Sequence, residues 1–251
     1  MVNQEATRPL AEGERSKLWS LTINGSEIRT LSLAEVATGS GLPWKLAMWG
    51  TPWDERLIKR LEKKWGPLES LEESGALLVT QGLAIRGLNE NDEGDFIDEA
   101  LEKIDEVKGK LYLDTDPLKE LRDIFTFPKN ALVELDQKPK FARKGRATLP
   151  LKVCRPPHVI VSAARNFAVY SDEYIVVPDR QIGIVSLSDD KPFLKALSLF
   201  LSSDFAFYHQ FIRSTQFGVQ RGRATLAALR QMPIPLAQLS RADLKPWTDL
   251  H

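Results

Sequence analysis

Between residues 158 and 187, three short runs rich in Val and Ile (158–162, 174–177 and 182–187) are bounded by Asn, Asp, Pro or Gln. Two helix-length segments, 191–201 and 204–214, follow directly. β-branched side chains fit a pleated strand, and turn residues between such runs reverse the chain. The runs predict a meander of short strands and the segments predict paired helices packed on it. The expected class is α+β, with a short-stranded mixed or antiparallel sheet and packed helices.

Upstream, Thr51 followed by Pro52, Asp54 and Glu55 reads as a helix start, because a hydroxyl caps free N–H groups and the helix dipole favours early acids. The helix is expected to run to Trp65 and stop at Gly66-Pro67, with Leu57, Ile58, Leu61 and Trp65 on one inward stripe. A second short helix is expected over 68–73, and a strand interrupted by Gly82 over 76–85. Apolar residues at helical spacing through 92–108, and again from Leu118 to Phe125, predict two acidic surface helices. Trp44, Trp49, Trp53 and Trp65 are expected in the core or at a domain interface, since tryptophans clustered around an amphipathic helix bury large areas. No apolar run approaches the roughly 18 residues of a membrane span, and the opening residues lack the pattern of a signal peptide. A soluble, cytoplasmic protein with no membrane partner is the expectation.

The net charge is zero, from 34 basic and 34 acidic residues, but the distribution is uneven. From Asp92 to Asp136 there are fourteen acids and six bases. From Gln137 to Asn166 there are eight bases and no acid, and from Phe205 to Ala242 five arginines and no acid. Segregated charge of this kind suits a polyanion-binding surface, or it neutralises itself by ion pairing across the fold.

Chemistry is sparse. Neither glycine-rich phosphate loop, G-x-G-x-x-G or G-x-x-x-x-G-K-[ST], occurs, and there is no G-x-S-x-G elbow. Cys154 is the single cysteine, expected as a small buried hydrophobe. With His158, His209 and His251 it offers too few well-spaced ligands for a structural zinc site. Asp136-Gln137-Lys138 with Asp116 upstream weakly matches the acidic pair plus lysine of a metal-dependent nuclease, and a solvated turn explains it equally. Arg155-Pro156-Pro157-His158 lacks the polar residue and the aromatic that flank the proline pair of an amino-methyltransferase, and it reads as a rigid turn.

Several segments, taken in order, resemble the specificity part of N6-adenine DNA methyltransferases of the TaqI-like kind, found in restriction-modification systems and type II restriction enzymes. FLKALSLFLSSDFAFY at 193–208 resembles the helix pair after the sheet in that domain. STQFGVQRGR at 214–223 and LAALRQMPIPL at 226–236 are similar to its closing turn and "PIPL" ending. HVIVS at 158–162 with YSDE at 170–173 looks like its central strand pair, and WKLAMWGTP at 44–52 and QGLAIRG at 81–87 resemble joining segments. The likeness spans about residues 41–236 and is strongest after Phe141. The glycine-containing S-adenosylmethionine loop and the N-P-P-[YF] turn of the catalytic half are both absent.

The resemblance implies a linker or N-terminal segment over 1–40. It implies an N-terminal part of the recognition domain over 41–136, carrying the acidic helical insertion at about 90–125. A TaqI-like specificity core over 137–240 and a tail over 241–251 complete the division. It further implies double-stranded DNA as partner and a methyltransferase domain in cis or as a separate subunit. S-adenosylmethionine would be held by that domain, with no cofactor and no catalytic residue on this chain. Phosphate contacts are expected from Lys140, Arg143, Lys144, Arg146 and Lys152, with Gly145 letting the loop bend. Base reading is expected from Arg165, Asn166, Gln220, Arg221 and Arg223, because Arg matches guanine and Asn or Gln matches adenine in the major groove. The other readings are a protein-interaction module of a phage-defence complex and the metal-dependent nuclease. The DNA reading requires the basic loops around 140–166 and 213–223 to converge.

Overall fold

The computed structural model describes residues 31–37, 41–86 and 101–251. The chain divides into two units, Met1–Gly39 and Ser40–His251. Of the first, a five-residue helix over Leu33–Ala37 is described, and the rest of the expected 1–40 segment lies outside the described residues.

The second unit is α+β. A four-stranded antiparallel sheet is built from β1 (Leu77–Gln81), β6 (His158–Val161), β7 (Ala168–Ser171) and β9 (Ile182–Ser186), in the order β1-β9-β6-β7. A ribbon pairs β2 (Leu101–Lys103) with β5 (Phe141–Arg143). A small mixed sheet places β3 (Leu111–Leu113) between antiparallel β4 (Leu132–Glu134) and parallel β8 (Ile175–Val176). The expected simple meander is therefore corrected: β8 leaves for another sheet, and β9 returns on the far side of β6, where β1 supplies its second partner.

The strand-forming runs are continuous rather than alternating because both faces of the large sheet are covered. Side chains alternate across a strand, so Val159 and Val161 join one core with Ile184 and Leu197, while Ile160 and Val169 join a second with Val176 and Leu113. The first core is closed by α5 (Lys191–Leu201), α6 (Asp204–Arg213), α7 (Leu226–Arg230) and α8 (Arg241–Asp249). The expected helix pair is present as α5 and α6. Asp190 caps α5 by accepting from Phe193 N at 3.0 Å, and Ser203 caps α6 by accepting from Ala206 N at 3.2 Å. The 241–251 segment is mostly helix, with Leu244 in the first core.

Three helices precede the sheet: α1 (Leu42–Trp49), α2 (Pro52–Lys64) and α3 (Leu68–Glu73). At α2, Thr51 and Asp54 form a reciprocal capping box, an arrangement worth about 1 kcal/mol. Its inward stripe is narrower than the spacing predicts, since Ile58 is buried but Leu57 is 45% exposed. Trp44, Trp49 and Trp53 are 50%, 44% and 74% exposed, so they are not core residues. Ile58, Leu46 and Ile212 make the small third core that joins α1 and α2 to α6.

The acidic helices are corrected as well. Residues 92–100 lie outside the described residues, and from Leu101 onward the chain forms strand β2, turns and strand β3. Leu118 ends a single 3-10 turn, Asp116–Leu118, rather than starting a helix. Of the apolar residues that suggested helical faces, Ile104, Val107 and Leu118 are separate anchors, each at 3% exposure or less in the second core. Among the described residues, no helix is long and apolar enough to cross a membrane.

Candidate nucleic-acid interface

Three adjoining depressions, with volumes of about 820, 490 and 670 Å³, share lining residues and form one trough. Gln81 and Asp179 belong to the first two, and Arg180, Arg221 and Arg223 to the last two.

The first bank is the loop between β5 and α4 (Thr148–Val153). Arg146 N donates to Arg143 O at 2.9 Å, and Gly145 N donates to Glu102 Oε1 at 3.2 Å. Gly145 sits at φ +74°, a left-handed conformation that glycine adopts without strain. A side chain added there would meet nothing, so the loop faces open space with Arg143, Lys144 and Arg146 exposed around it.

The floor is the turn between β8 and β9. Gln181 N donates to Pro178 O at 3.0 Å, Gly82 N to Gln181 O at 2.9 Å, and Leu83 N to Val177 O at 2.7 Å. The amide oxygen of Gln181 accepts from Ala163 N at 2.8 Å. Gly82 permits this close approach, since a Cβ there would lie 2.2 Å from Val177 O. The apex of the turn presents Asp179 and Arg180, both exposed.

The second bank is the loop after α6. Gly218 N donates to Arg221 O and Arg221 N to Gln216 O, each at 2.9 Å, so the loop folds on itself. Phe217 is buried against Phe207 and Phe211, and Ala224 N donates to Ala163 O at 2.9 Å, which ties the loop to the β6–β7 turn. Arg221, Gly222 and Arg223 are left exposed along the trough.

Among the described residues, seven bases line the trough, namely Arg86, Lys119, Arg143, Arg146, Arg180, Arg221 and Arg223, with Asp179 as the single carboxylate. Arg146, Arg180, Arg221 and Arg223 have no side-chain hydrogen bond or ion pair among the described residues. A concave surface of one sign focuses its field outward and raises the local concentration of anions.

Several arginines outside the trough are engaged by carboxylates. Glu106 receives both Arg155 Nε at 2.8 Å and Nη2 at 2.9 Å, which with Tyr174 holds its carboxyl below the ordinary glutamate range against the opposing effect of burial. Glu62 receives Arg213 and His209, Glu72 receives Arg230, and Asp190 receives Arg241. The acid-free stretches therefore hold arginines engaged within the fold as well as Arg146, Arg221 and Arg223, which face the trough with no side-chain partner among the described residues.

Of the residues expected to touch DNA, Arg143, Arg146, Arg221 and Arg223 come together here. Lys144, Lys152 and Gln220 are exposed but do not line the trough. Asn166 lines its far end, yet its amide is engaged within the protein: Nδ2 donates to Leu121 O at 2.7 Å and Oδ1 accepts from Ser162 Oγ. Lys140 is 2% exposed, and its ammonium lies 2.6 Å from Asp136 Oδ1, so it is not on the surface. Arg165 is 7% exposed at φ +59°. It donates to Ser162 O at 2.7 Å, Thr225 O at 2.9 Å and Gln210 Oε1 at 3.2 Å, which makes it an internal clamp. Burial lowers its guanidinium pKa to about 10, which leaves it charged at neutral pH.

Arg86, Lys119 and the Asp179-Arg180 pair were not singled out by the sequence. For the last of these, a charged pair following Pro178 between two β-branched runs was the available signal. The nuclease residues are occupied, with Asp136 on Lys140 and Asp116 on Lys119 at 2.8 Å. Among the described residues, no group of three or more His, Cys, Asp or Glu could hold a metal ion. No family model matches the chain, and no curated protein matches it.

Proposed function

We propose that this chain performs DNA target recognition for an N6-adenine DNA methyltransferase of a restriction-modification system, with a TaqI-like recognition fold and the catalytic half elsewhere. The observation that carries this reading is the arginine trough between the 143–146 and 221–223 loops. Arginines on both banks neutralise phosphates and release counterions, and the same side chains reach the guanine edge in the major groove. The ordered resemblance of 158–173, 193–208 and 214–236 to the specificity part supplies the link to adenine methylation. S-adenosylmethionine binding and adenine extrusion belong to the partner domain, since this sequence has neither the glycine loop nor the N-P-P-[YF] turn.

The test is retention of a duplex of random sequence across a salt series. The logarithm of the binding constant is expected to fall linearly with the logarithm of salt concentration, with a slope of about 0.9 for each phosphate neutralised. Replacing Arg143, Lys144 and Arg146 together with alanine is expected to abolish retention. A flat salt response, or undiminished retention by the triple variant, counts against the proposal.

One observation favours the protein-interaction reading: Trp44, Met48, Trp49, Trp53 and Leu57 are exposed together on α1 and α2. Under that reading, Trp53→Ala abolishes partner capture while the arginine triple variant keeps it.

A further inference from the structure

Among the described residues lining the trough, Asp179 is the only carboxylate, and seven bases share that lining. Where this fold uses a carboxylate to neutralise an arginine, it builds a close pair, as at Glu62 with Arg213, Glu72 with Arg230 and Glu106 with Arg155. Asp179 is exposed and makes no such pair among the described residues. It sits at the apex of the turn pinned through Gln181, Gly82 and Leu83, at the junction of two of the three depressions. A rigid, unpaired carboxylate facing a polyanion repels phosphates and accepts hydrogen bonds without donating any. In the major groove the donors are the amino groups of cytosine and adenine. Adenine places its N7 acceptor beside the amino group and opposes a carboxylate, whereas cytosine offers N4 alone. The adjacent Arg180 has the complementary requirement and matches the O6 and N7 acceptors of the paired guanine.

We infer that Asp179 and Arg180 read a C·G base pair in the duplex, Asp179 accepting from cytosine N4 and Arg180 donating to the guanine. This rests on the reading of the trough as a duplex-DNA site.

The experiment selects from a pool of short duplexes randomised across their core, using the full chain, and sequences the retained fraction. The wild type is expected to enrich a site in which at least one position is fixed as C·G. Asp179→Asn is expected to lower discrimination at that position by roughly ten- to a hundredfold while leaving the other positions enriched. Arg180→Ala is expected to relax the same base pair. Circular dichroism checks that both variants remain folded, as substitutions at exposed positions should.

Identical sites selected by the wild type and Asp179→Asn overturn the inference, as does a loss of preference at every position together. Wild-type retention of duplex with no preferred base pair also overturns it, while leaving the trough a DNA site. Failure of the wild type to retain any duplex at low salt removes the DNA reading itself, and this inference with it.

Discussion

Lys45 and Phe217 are joined across the fold: the buried ammonium on α1 donates to the carbonyl oxygen of Phe217 and rests over the faces of Trp49 and Phe211. Burial lowers its pKa below the ordinary lysine value, and cation–π contacts stand in for a carboxylate partner. The bond holds the base of the loop that carries Arg221 and Arg223. Lys45→Met leaves the Phe217 oxygen without this donor, at about 1–3 kcal/mol. Hydrogen exchange of the Gly218 and Arg221 amides is expected to accelerate while β6 and β9 keep their protection. Unchanged exchange in the loop would show that Phe217 packing alone holds it.

Arg165 and Arg221 are chemically identical and are expected to behave oppositely. Arg165→Ala strips a donor from Ser162 O, Thr225 O and Gln210 Oε1 in a dry interior, and is expected to lower unfolding free energy by about 3 kcal/mol or more in urea titration. Arg221→Ala removes an exposed side chain and is expected to change stability by about 0.5 kcal/mol or less. Only Arg221→Ala should weaken duplex retention without weakening the fold. Equal stability of the two variants would contradict the clamp assigned to Arg165.

His158 gives the fold an acid limit. Its ring is fully buried, Nδ1 donates to Val153 O at 2.7 Å, Nε2 has no hydrogen-bond partner among the described residues, and burial lowers its pKa from 6.5 to about 4. Between those values the unfolded chain binds a proton that the folded chain does not, so stability rises with pH across this window and falls as pH drops through it. The swing is at most about 3 kcal/mol. Denaturant titrations from pH 4 to 7 are expected to show this slope, and His158→Gln to flatten part of it, with His251 contributing in the same direction. The same slope in both proteins would assign it to other groups.

Gly82→Ala places a methyl group 2.2 Å from Val177 O and 2.3 Å from Pro178 O. Backbone on both sides cannot give way cheaply, so a loss of about 1–3 kcal/mol is expected by thermal or chemical unfolding. Because the displaced turn carries Asp179 and Arg180, base preference should change with stability. Gly145→Ala meets no neighbouring atom, and its φ of +74° gives a smaller, purely conformational loss. If the two substitutions cost the same, the close approach at Gly82 is not what fixes the turn.

The sequence revealed elements whose signals are local and left obscure those decided at a distance. Thr51, Pro52 and Asp54 specify the start of α2 within four residues, and Asp190 and Ser203 do so for α5 and α6. The 101–125 segment reads as helical because Leu101, Ile104 and Val107, and again Leu118 and Leu121, recur at a spacing of three, although Ile104, Val107 and Leu118 each plug separately into a core formed by distant strands. For the site, the sign of the charge was legible and its burial was not. Lys140 and Arg165 read as surface cations because the sequence does not show that Lys140 is buried, although its partner Asp136 lies four residues upstream, and because the acceptors of Arg165, Gln210 and Thr225, are distant in the chain. Arg180 escaped notice because it stands alone between two strands, and only the turn's anchoring to Gly82 and Ala163 aims it at the other arginines.

Strand β9 sits between β1 and β6, and its pairing with β1 joins residues about a hundred positions apart in sequence. Closing a span of that size costs about 4 kcal/mol of chain entropy before any contact is gained. Neither neighbouring strand has β9 to pair with until the chain has been synthesised through Ser186, by which point the segment carrying Arg143 and Arg146 is already in place between them. Folding of the central sheet is therefore a late and cooperative event on the ribosome. A gene cut anywhere between those strands would yield two halves that have to find each other before the central sheet can close.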